Sequence, residues 1–305
     1  MDFSFSRYLS AKKTVDDRAL NHLVWVTLKK ELQLRSAREP FRVLELGMGI
    51  GTMLQRALEW GLINRADYTG IDALEENIRT ARQIIPEWAS QHGWRFELTS
   101  SGQRLEKNGG AVSCSFFRGD VYELLKQQVN RSAFDLIIAS AVLDLLNLHQ
   151  LLPLIHDCLT PDGLGYFTIN FDGVTVFEPV IEPDLEEKII ELYHSSMDER
   201  KINGQPSGDS RTGRHLYHAL IEAGFEVLEG GSSDWVVFPR RGKYPDDEAY
   251  FLHFILHFFE ETLSRSHNID PQELNRWLQM RRSQIERGEL FFLAHQLDFL
   301  VKKPQ

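Results

Sequence analysis

The run Val43-Leu44-Glu45-Leu46-Gly47-Met48-Gly49-Ile50-Gly51-Thr52 constrains this chain more than any other stretch. An apolar segment closes on an acid, three glycines follow at every second position, and helical spacing runs from Met53 to Trp60. That order predicts a strand, a tight turn and a helix start. Glycine tolerates positive φ and carries no Cβ, so such a turn lets the backbone approach a ligand closely at a helix N-terminus. The dinucleotide fingerprint G-x-G-x-x-G is not met, because the third glycine falls one residue early. No Lys-Ser/Thr follows, which excludes a phosphate-binding P-loop.

Downstream, Ala66–Asp72 reads as a second strand ending in an acid, 21 residues after Gly51. At this spacing such a unit places a carboxylate on ribose hydroxyls. A helix follows with Ile78, Ala81, Ile85 and Trp88 on one face; Pro86 is expected to kink or restart it, and Gly93 to stop it. Trp94, Phe96 and Leu98 alternate, and Asn108-Gly109-Gly110 is a strong turn signal, together predicting an inserted hairpin or loop. The strand-like run from Val112 to Phe117 leads into Gly119-Asp120-Val121, where Asp120 can cap the next helix. Phe134–Ser140 is apolar enough to be buried on both faces, as parallel strands are. A helix from about Gln150 to Leu159, a turn over Thr160–Gly165 and a fifth strand from Tyr166 to Asn170 complete this part.

Ahead of the glycine turn, Thr14 with Asp17 resembles a capping box, and Leu20, Leu23, Val24 and Leu28 continue helical spacing to about Leu32. Behind the fifth strand, turn signals (Asp172-Gly173, Asn203-Gly204, Gly208-Asp209) surround a helix near Leu185–Met197. Arg211 to Ala223 is helical, with Gly224 as its stop. Val227 and Trp235–Phe238 are candidates for a sixth strand, and Leu290 to Val301 for the last. Between them, Asp246–Leu263 is a helix apolar nearly all round, and Asp270-Pro271 opens another that Gly288 ends. The expected architecture is an α/β, Rossmann-like doubly wound sheet of seven mostly parallel strands. Its core spans residues 41–173, with an N-terminal helical arm at 1–40. The remaining residues, 174–305, finish the sheet and add mainly helical cap insertions near 174–210 and 243–288.

Several pieces now stand in order: Glu-x-Gly-x-Gly-x-Gly from Glu45, Asp72, Gly119-Asp120-Val121, and Leu159-x-Pro161-x-Gly163-x-x-x-Phe167. Together they resemble the class I methyltransferases that use S-adenosylmethionine (SAM), over residues 43–170 and under half of the chain. The resemblance implies that Glu45 and the backbone at Gly47, Gly49 and Gly51 hold the amino-acid end of SAM. By the same likeness Asp72, with Ala73 beside it, takes the ribose, and Asp120 and Val121 hold the adenine. Ala139 and Ser140 would lie under the methionine, leaving S-adenosylhomocysteine (SAH) as product. In small-molecule members an N-terminal arm commonly folds over the cofactor pocket, which makes Arg7, Tyr8 and Arg18 candidates to reach the cofactor carboxylate or close the pocket.

Methyl transfer of this kind is an in-line displacement. Alignment alone supplies about 7–11 kcal/mol, and a general base adds roughly 10²–10⁴-fold. The lack of a Ser-His-Asp or metal signature therefore does not count against an enzyme. His194 and Asp144 are the candidate bases, each with an ordinary structural role as its alternative. His253, His257 and Glu261 share one helix face, but Phe254, Ile255 and Leu256 stand where H-E-x-x-H needs its glutamate, so no metal is expected.

The acceptor is constrained mainly by absences. After the fourth strand stands Ala139-Ser140-Ala141-Val142 rather than the Asn/Asp-Pro-Pro-Tyr of base methylation, and no Pro-Cys nucleophile occurs. The net charge of −10 also argues against an extended phosphate-tracking face. A small-molecule acceptor methylated at O or N is expected, with no nucleic-acid partner. A protein methyltransferase and a non-catalytic partner of the same fold are the competing readings. Cys114 and Cys158 read as small buried hydrophobes. With no apolar leader region and no run of ~20 apolar residues, the chain reads as soluble and cytoplasmic, away from membranes, with a homodimer allowed.

Overall fold

The computed structural model describes residues 3–100, 102–202 and 204–305. Met1, Asp2, Ser101 and Asn203 lie outside the described residues, and the first half of the expected Asn203-Gly204 turn with them. The chain opens with helices α1 (Phe5–Ala19) and α2 (His22–Leu34), then strand β1 (Phe41–Leu46), α3 (Thr52–Glu59), β2 (Arg65–Asp72) and α4 (Glu75–Gln91). Strands β3 (Arg95–Thr99), β4 (Gly102–Lys107) and β5 (Gly110–Arg118) follow, then α5 (Val121–Leu125), β6 (Phe134–Ser140), α6 (Leu148–Cys158) and β7 (Leu159–Glu178). The last part holds α7 (Pro183–Asp198), the short pair β8 (Lys201–Ile202) and β9 (Gln205–Pro206), and α8 (Thr212–Glu222). It closes with β10 (Glu226–Ser232), β11 (Trp235–Val237), α9 (Glu248–Leu263), α10 (Pro271–Glu286) and β12 (Phe291–Lys302).

The sheet runs β10-β12-β7-β6-β1-β2-β5-β4-β3, with β11 also paired to β12, ten strands in all. Its centre, β7 to β5, is parallel; both flanks are antiparallel. Seven strands were expected. The difference is that the hairpin expected over the Trp94–Gly110 segment forms and joins the sheet edge as β3 and β4, while β11 adds a short third strand beside β12.

Alternation along the central strands sets the two faces. Leu136 and Ile138 of β6 join the layer of α2, α3 and α4, whereas Ile137 and Ala139 join that of α5, α6 and α8. A third apolar cluster, built from α1, α7, α9 and α10, forms the cap. The N-terminal arm therefore divides: α1 packs with the cap and α2 with the sheet. Their boundary is Asn21, whose side chain accepts from Leu23 N and Val24 N as the cap of α2, while Ser4 caps α1. Thr14 and Asp17, expected to begin a helix, lie inside α1.

Two further departures have physical causes. Pro86 does not restart α4, which continues through it. A proline at 86 removes the hydrogen bond to the carbonyl of residue 82, and Gln103 Nε2 of β4 supplies the missing donor to Arg82 O at 3.2 Å. The turn signals at 160–165 and 172–173 sit within β7, a 20-residue strand that pairs with β12 from Leu164 to Glu178. Gly173 has φ of +73°, and near it the pairing steps from Thr175↔Ala294 to Phe171↔Gln296. The glycine thus serves a bulge rather than ending the strand.

Candidate functional site

β1 passes to β2 and β5 on one side, then the chain returns to β6 and β7 on the other. The strand order reverses between β1 and β6, and crevices outside the carboxyl ends at such a point are where open α/β sheets bind ligands. The glycine turn occupies that position. Gly47, Gly49 and Gly51 have φ of +65°, +54° and +85°. A Cβ on Gly47 would strike Val142 Cγ2 at 2.7 Å, and one on Gly49 would meet Leu9 Cδ1 at 3.3 Å. Both backbone shape and space thus require glycine.

Asp72 ends β2 beside the turn and is nearly buried. Its Oδ2 accepts from Gly49 N at 2.8 Å, and its Oδ1 from Leu74 N at 2.9 Å and Asn77 Nδ2 at 3.0 Å. A carboxylate has about four acceptor positions, so this residue first fixes the glycine turn and keeps about one position for a ligand. Ala73 follows it, exposed. Just past the neighbouring strand β5, Asp120 is exposed, and its Oδ1 caps α5 by accepting from Tyr122 N at 2.8 Å and Glu123 N at 3.1 Å; Val121 is the first helical residue. Gly119 N donates to Asp72 O at 3.0 Å, which joins these two strand ends.

Glu45 lies beneath the turn, buried, accepting from Tyr68 Oη at 2.6 Å. Burial pushes its pKa up to about 8, against the pull of Tyr68 and Arg56. On the far side of β1, Ala139 is wholly buried in the apolar layer, so only its backbone is available to a ligand. Ser140 Oγ accepts from Thr168 Oγ1 at 3.0 Å. Glu45, the three glycines, Asp72, Ala73, Asp120, Val121, Ala139 and Ser140 therefore line one rim, on the carboxyl ends of four neighbouring parallel strands.

Helix α1 covers this rim. Arg56 of α3, 1% exposed, donates to Lys13 O at 3.2 Å and reaches Asp16 Oδ2 at 3.4 Å. Lys12 Nζ and Trp235 Nε1 bond the same Asp16 at 2.7 and 2.9 Å. Sequence reasoning missed Lys12, Asp16, Arg56 and Asn77. A charged face on a helix ordinarily reads as solvated, and nothing along the chain shows that two such faces meet.

The three candidates on α1 have other partners in this structure. Arg18 pairs with both carboxylate oxygens of the buried Glu248, and Arg7 forks onto Asp247 with Nε at 2.8 Å. Tyr8 is buried in the cap, its ring stacked 4.6 Å from Phe254. The two base candidates have different surroundings. His194 bonds Thr175 Oγ1 at 3.0 Å and faces a hollow of about 500 Å³ that Arg211 also lines; burial lowers its pKa. Asp144 sits just past β6, with its pKa raised by burial. His257 of α9 stacks on Phe3 at 4.1 Å, and among the described residues no group of three or more His, Cys, Asp or Glu is placed to hold a metal.

A family description of a methyltransferase domain matches residues 20–229. No curated protein matches the chain. Among solved structures, a proposed methyltransferase of Bacillus halodurans C-125 is 13% identical, covering 91% of this chain and 99% of its own, with a TM-score of 0.49. A Haemonchus contortus phosphoethanolamine N-methyltransferase, solved with phosphomonomethylethanolamine and SAH, is 13% identical over 100% and 61%, at 0.41. A Streptomyces coelicolor geranyl diphosphate C-methyltransferase, solved with Mg²⁺, geranyl diphosphate and SAH, is 9% identical over 90% and 79%, at 0.42.

Proposed function

The chain belongs to the methyltransferase-domain family, and on that premise we propose that it transfers a methyl group from SAM to an oxygen or nitrogen of a small-molecule acceptor. The observation that carries the reading is the single rim of Glu45, glycine turn, Asp72 and Asp120 at the point where the strand order reverses. SAM, when bound, supplies an electrophilic methyl group on a sulfonium. The chain's own part is to bind, orient and shield. Gly47 and Gly49 offer bare backbone to the amino-acid end, where a Cβ would strike Val142 or crowd Leu9. Asp72 keeps an acceptor position for a ribose hydroxyl, and Asp120 stands one strand further out for the adenine amino group. Alignment of this kind supplies about 7–11 kcal/mol of the barrier.

The cap supports a small acceptor. Helix α1 lies over the rim, and α9 is tied to it by Arg18–Glu248, Arg7–Asp247 and a bond from Ser4 N to Tyr250 Oη at 2.7 Å. A folded protein or a duplex has to displace that cover; a small molecule has only to pass its edge. The test is calorimetry with SAH. Wild type is expected to bind it, and Asp72→Ala to bind at least tenfold more weakly. A wild type with no measurable affinity overturns the proposal.

A further inference from the structure

Past β6 the chain turns through Ala141, at φ of +53°, into a single helical turn, Leu143–Leu145, that presents Asp144. The Asp144 main chain is engaged, its carbonyl accepting from Asp209 N at 3.3 Å. Of its carboxylate, which also bonds its own main chain, Oδ1 is buried and has no hydrogen-bond partner among the described residues. Leaving a buried acceptor unpaired costs on the order of 1–3 kcal/mol, more for a charged one, so each case calls for a reason.

Two phenols of the cap, Tyr8 and Tyr193, are the aromatic groups electrostatically coupled to that carboxylate. Tyr8 of α1 stacks 4.6 Å from Phe254 and 5.8 Å from Phe251. Tyr193 of α7 stacks 4.0 Å from Phe259. Both phenols lie within electrostatic reach of Asp144. The cations within reach of the same carboxylate are Arg200 and Lys12, and Lys12 already holds Asp16 at 2.7 Å. His194 and Phe171 pack edge to face at 5.2 Å, but the histidine turns to Thr175 instead.

Resting on the methyltransferase reading above, we propose that Asp144 receives the methyl acceptor, and that this acceptor is a flat, uncharged molecule whose O–H or N–H donates to Asp144 Oδ1. Planar molecules gain most from stacking against a ring such as that of Tyr193, which is only partly buried and stacks on Phe259. An ammonium would share the carboxylate with Arg200 and Lys12, which selects against a cationic acceptor. In the transfer the X–H bond breaks and its proton passes to Oδ1. The electron pair left on X forms the bond to the methyl carbon, whose former bonding pair stays on the donor's sulfur. Burial raises the pKa of Asp144, which brings a carboxylate nearer to the range where it holds such a proton.

The experiment titrates 4-nitrophenol, 4-nitroaniline and benzylammonium into protein saturated with SAH, followed by absorbance or calorimetry. Wild type is expected to bind at least one nitro compound and to bind benzylammonium more weakly. Asp144→Ala is expected to keep its SAH affinity and lose at least tenfold in affinity for the nitro compound. Unchanged nitro-compound affinity in that variant overturns the inference, as does tighter binding of benzylammonium or uptake of neither nitro compound. Should Asp144→Ala also lose SAH, Tyr193→Leu decides: it must keep SAH and weaken the nitro compound at least threefold, and unaltered binding refutes. A wild type blind to SAH sinks the methyltransferase reading and this inference with it.

Discussion

Glu45 offers the most direct quantitative test of the site's electrostatics. Its carboxyl is 2% exposed, and burial raises its pKa from an ordinary 4.5 to about 8. Below about pH 4.5 the group carries its proton in both the folded and the unfolded chain. Between there and pH 8 the folded chain keeps a proton that the unfolded chain has released, so stability falls by ~1.4 kcal/mol per pH unit. The loss reaches roughly 3 kcal/mol at pH 7 and about 5 kcal/mol at pH 8, as upper values. Glu45→Gln keeps the shape and an acceptor for Tyr68 Oη but has no proton to lose. Guanidinium unfolding of both proteins at pH 5, 6, 7 and 8, followed by circular dichroism, yields their stability difference. Shifted groups common to both, such as Asp298 with its pKa raised to about 6, cancel in that difference. The variant should gain on wild type by ~3 kcal/mol or more from pH 5 to pH 8. A difference that stays flat within about 1 kcal/mol refutes the assignment of a buried, proton-holding carboxyl.

Two further outcomes test how the site is held. Gln103→Leu strips the donor from Arg82 O and should cost about 1–3 kcal/mol by thermal unfolding; adding Pro86→Ala restores a main-chain donor and should recover most of it, and no recovery contradicts the role given to Gln103. Arg18→Ala leaves the 0%-exposed side chain of Glu248 without its cation and should cost about 3 kcal/mol. Adding Glu248→Gln should return more than half of that, and a double variant as unstable as the single one refutes the pairing.

The parts of the fold that one strand-turn-helix unit dictates were legible in the sequence. The glycine turn, both strand-end acids and the apolar β6 all depend on residues close together in the chain, and their periodicity is visible without partners. Where long-range pairing decided the outcome, local signals misled. Asp172-Gly173 is a turn by composition, yet β12 pairs across it and makes it a bulge. Pro86 is a breaker by covalent structure, yet Gln103 from another strand supplies the missing bond. Arg7 and Arg18 are free cations in the sequence and bound ones in the fold, because α9 brings two acids to them. Asp144 was visible as a polar residue past a strand. Its unpaired oxygen was not, since only the assembled fold shows that no described residue bonds it.

The long pairing of β7 with β12 has a consequence for how the cap is held. Register pairs run from Leu164↔Lys302 in the sheet to Glu178↔Phe291 in the cap, so one ribbon serves as a beam through both. At ~3.3 Å per residue, the paired stretch of β7 spans at most roughly 50 Å, with one bulge at Gly173 and another between Phe167 and Asn170. Helix α1 is fastened differently, by side chains reaching Asp247, Glu248 and Arg56 rather than by a main-chain ladder. The ribbon is thus held by backbone pairing along its length, and α1 by a few ionic and polar side-chain contacts.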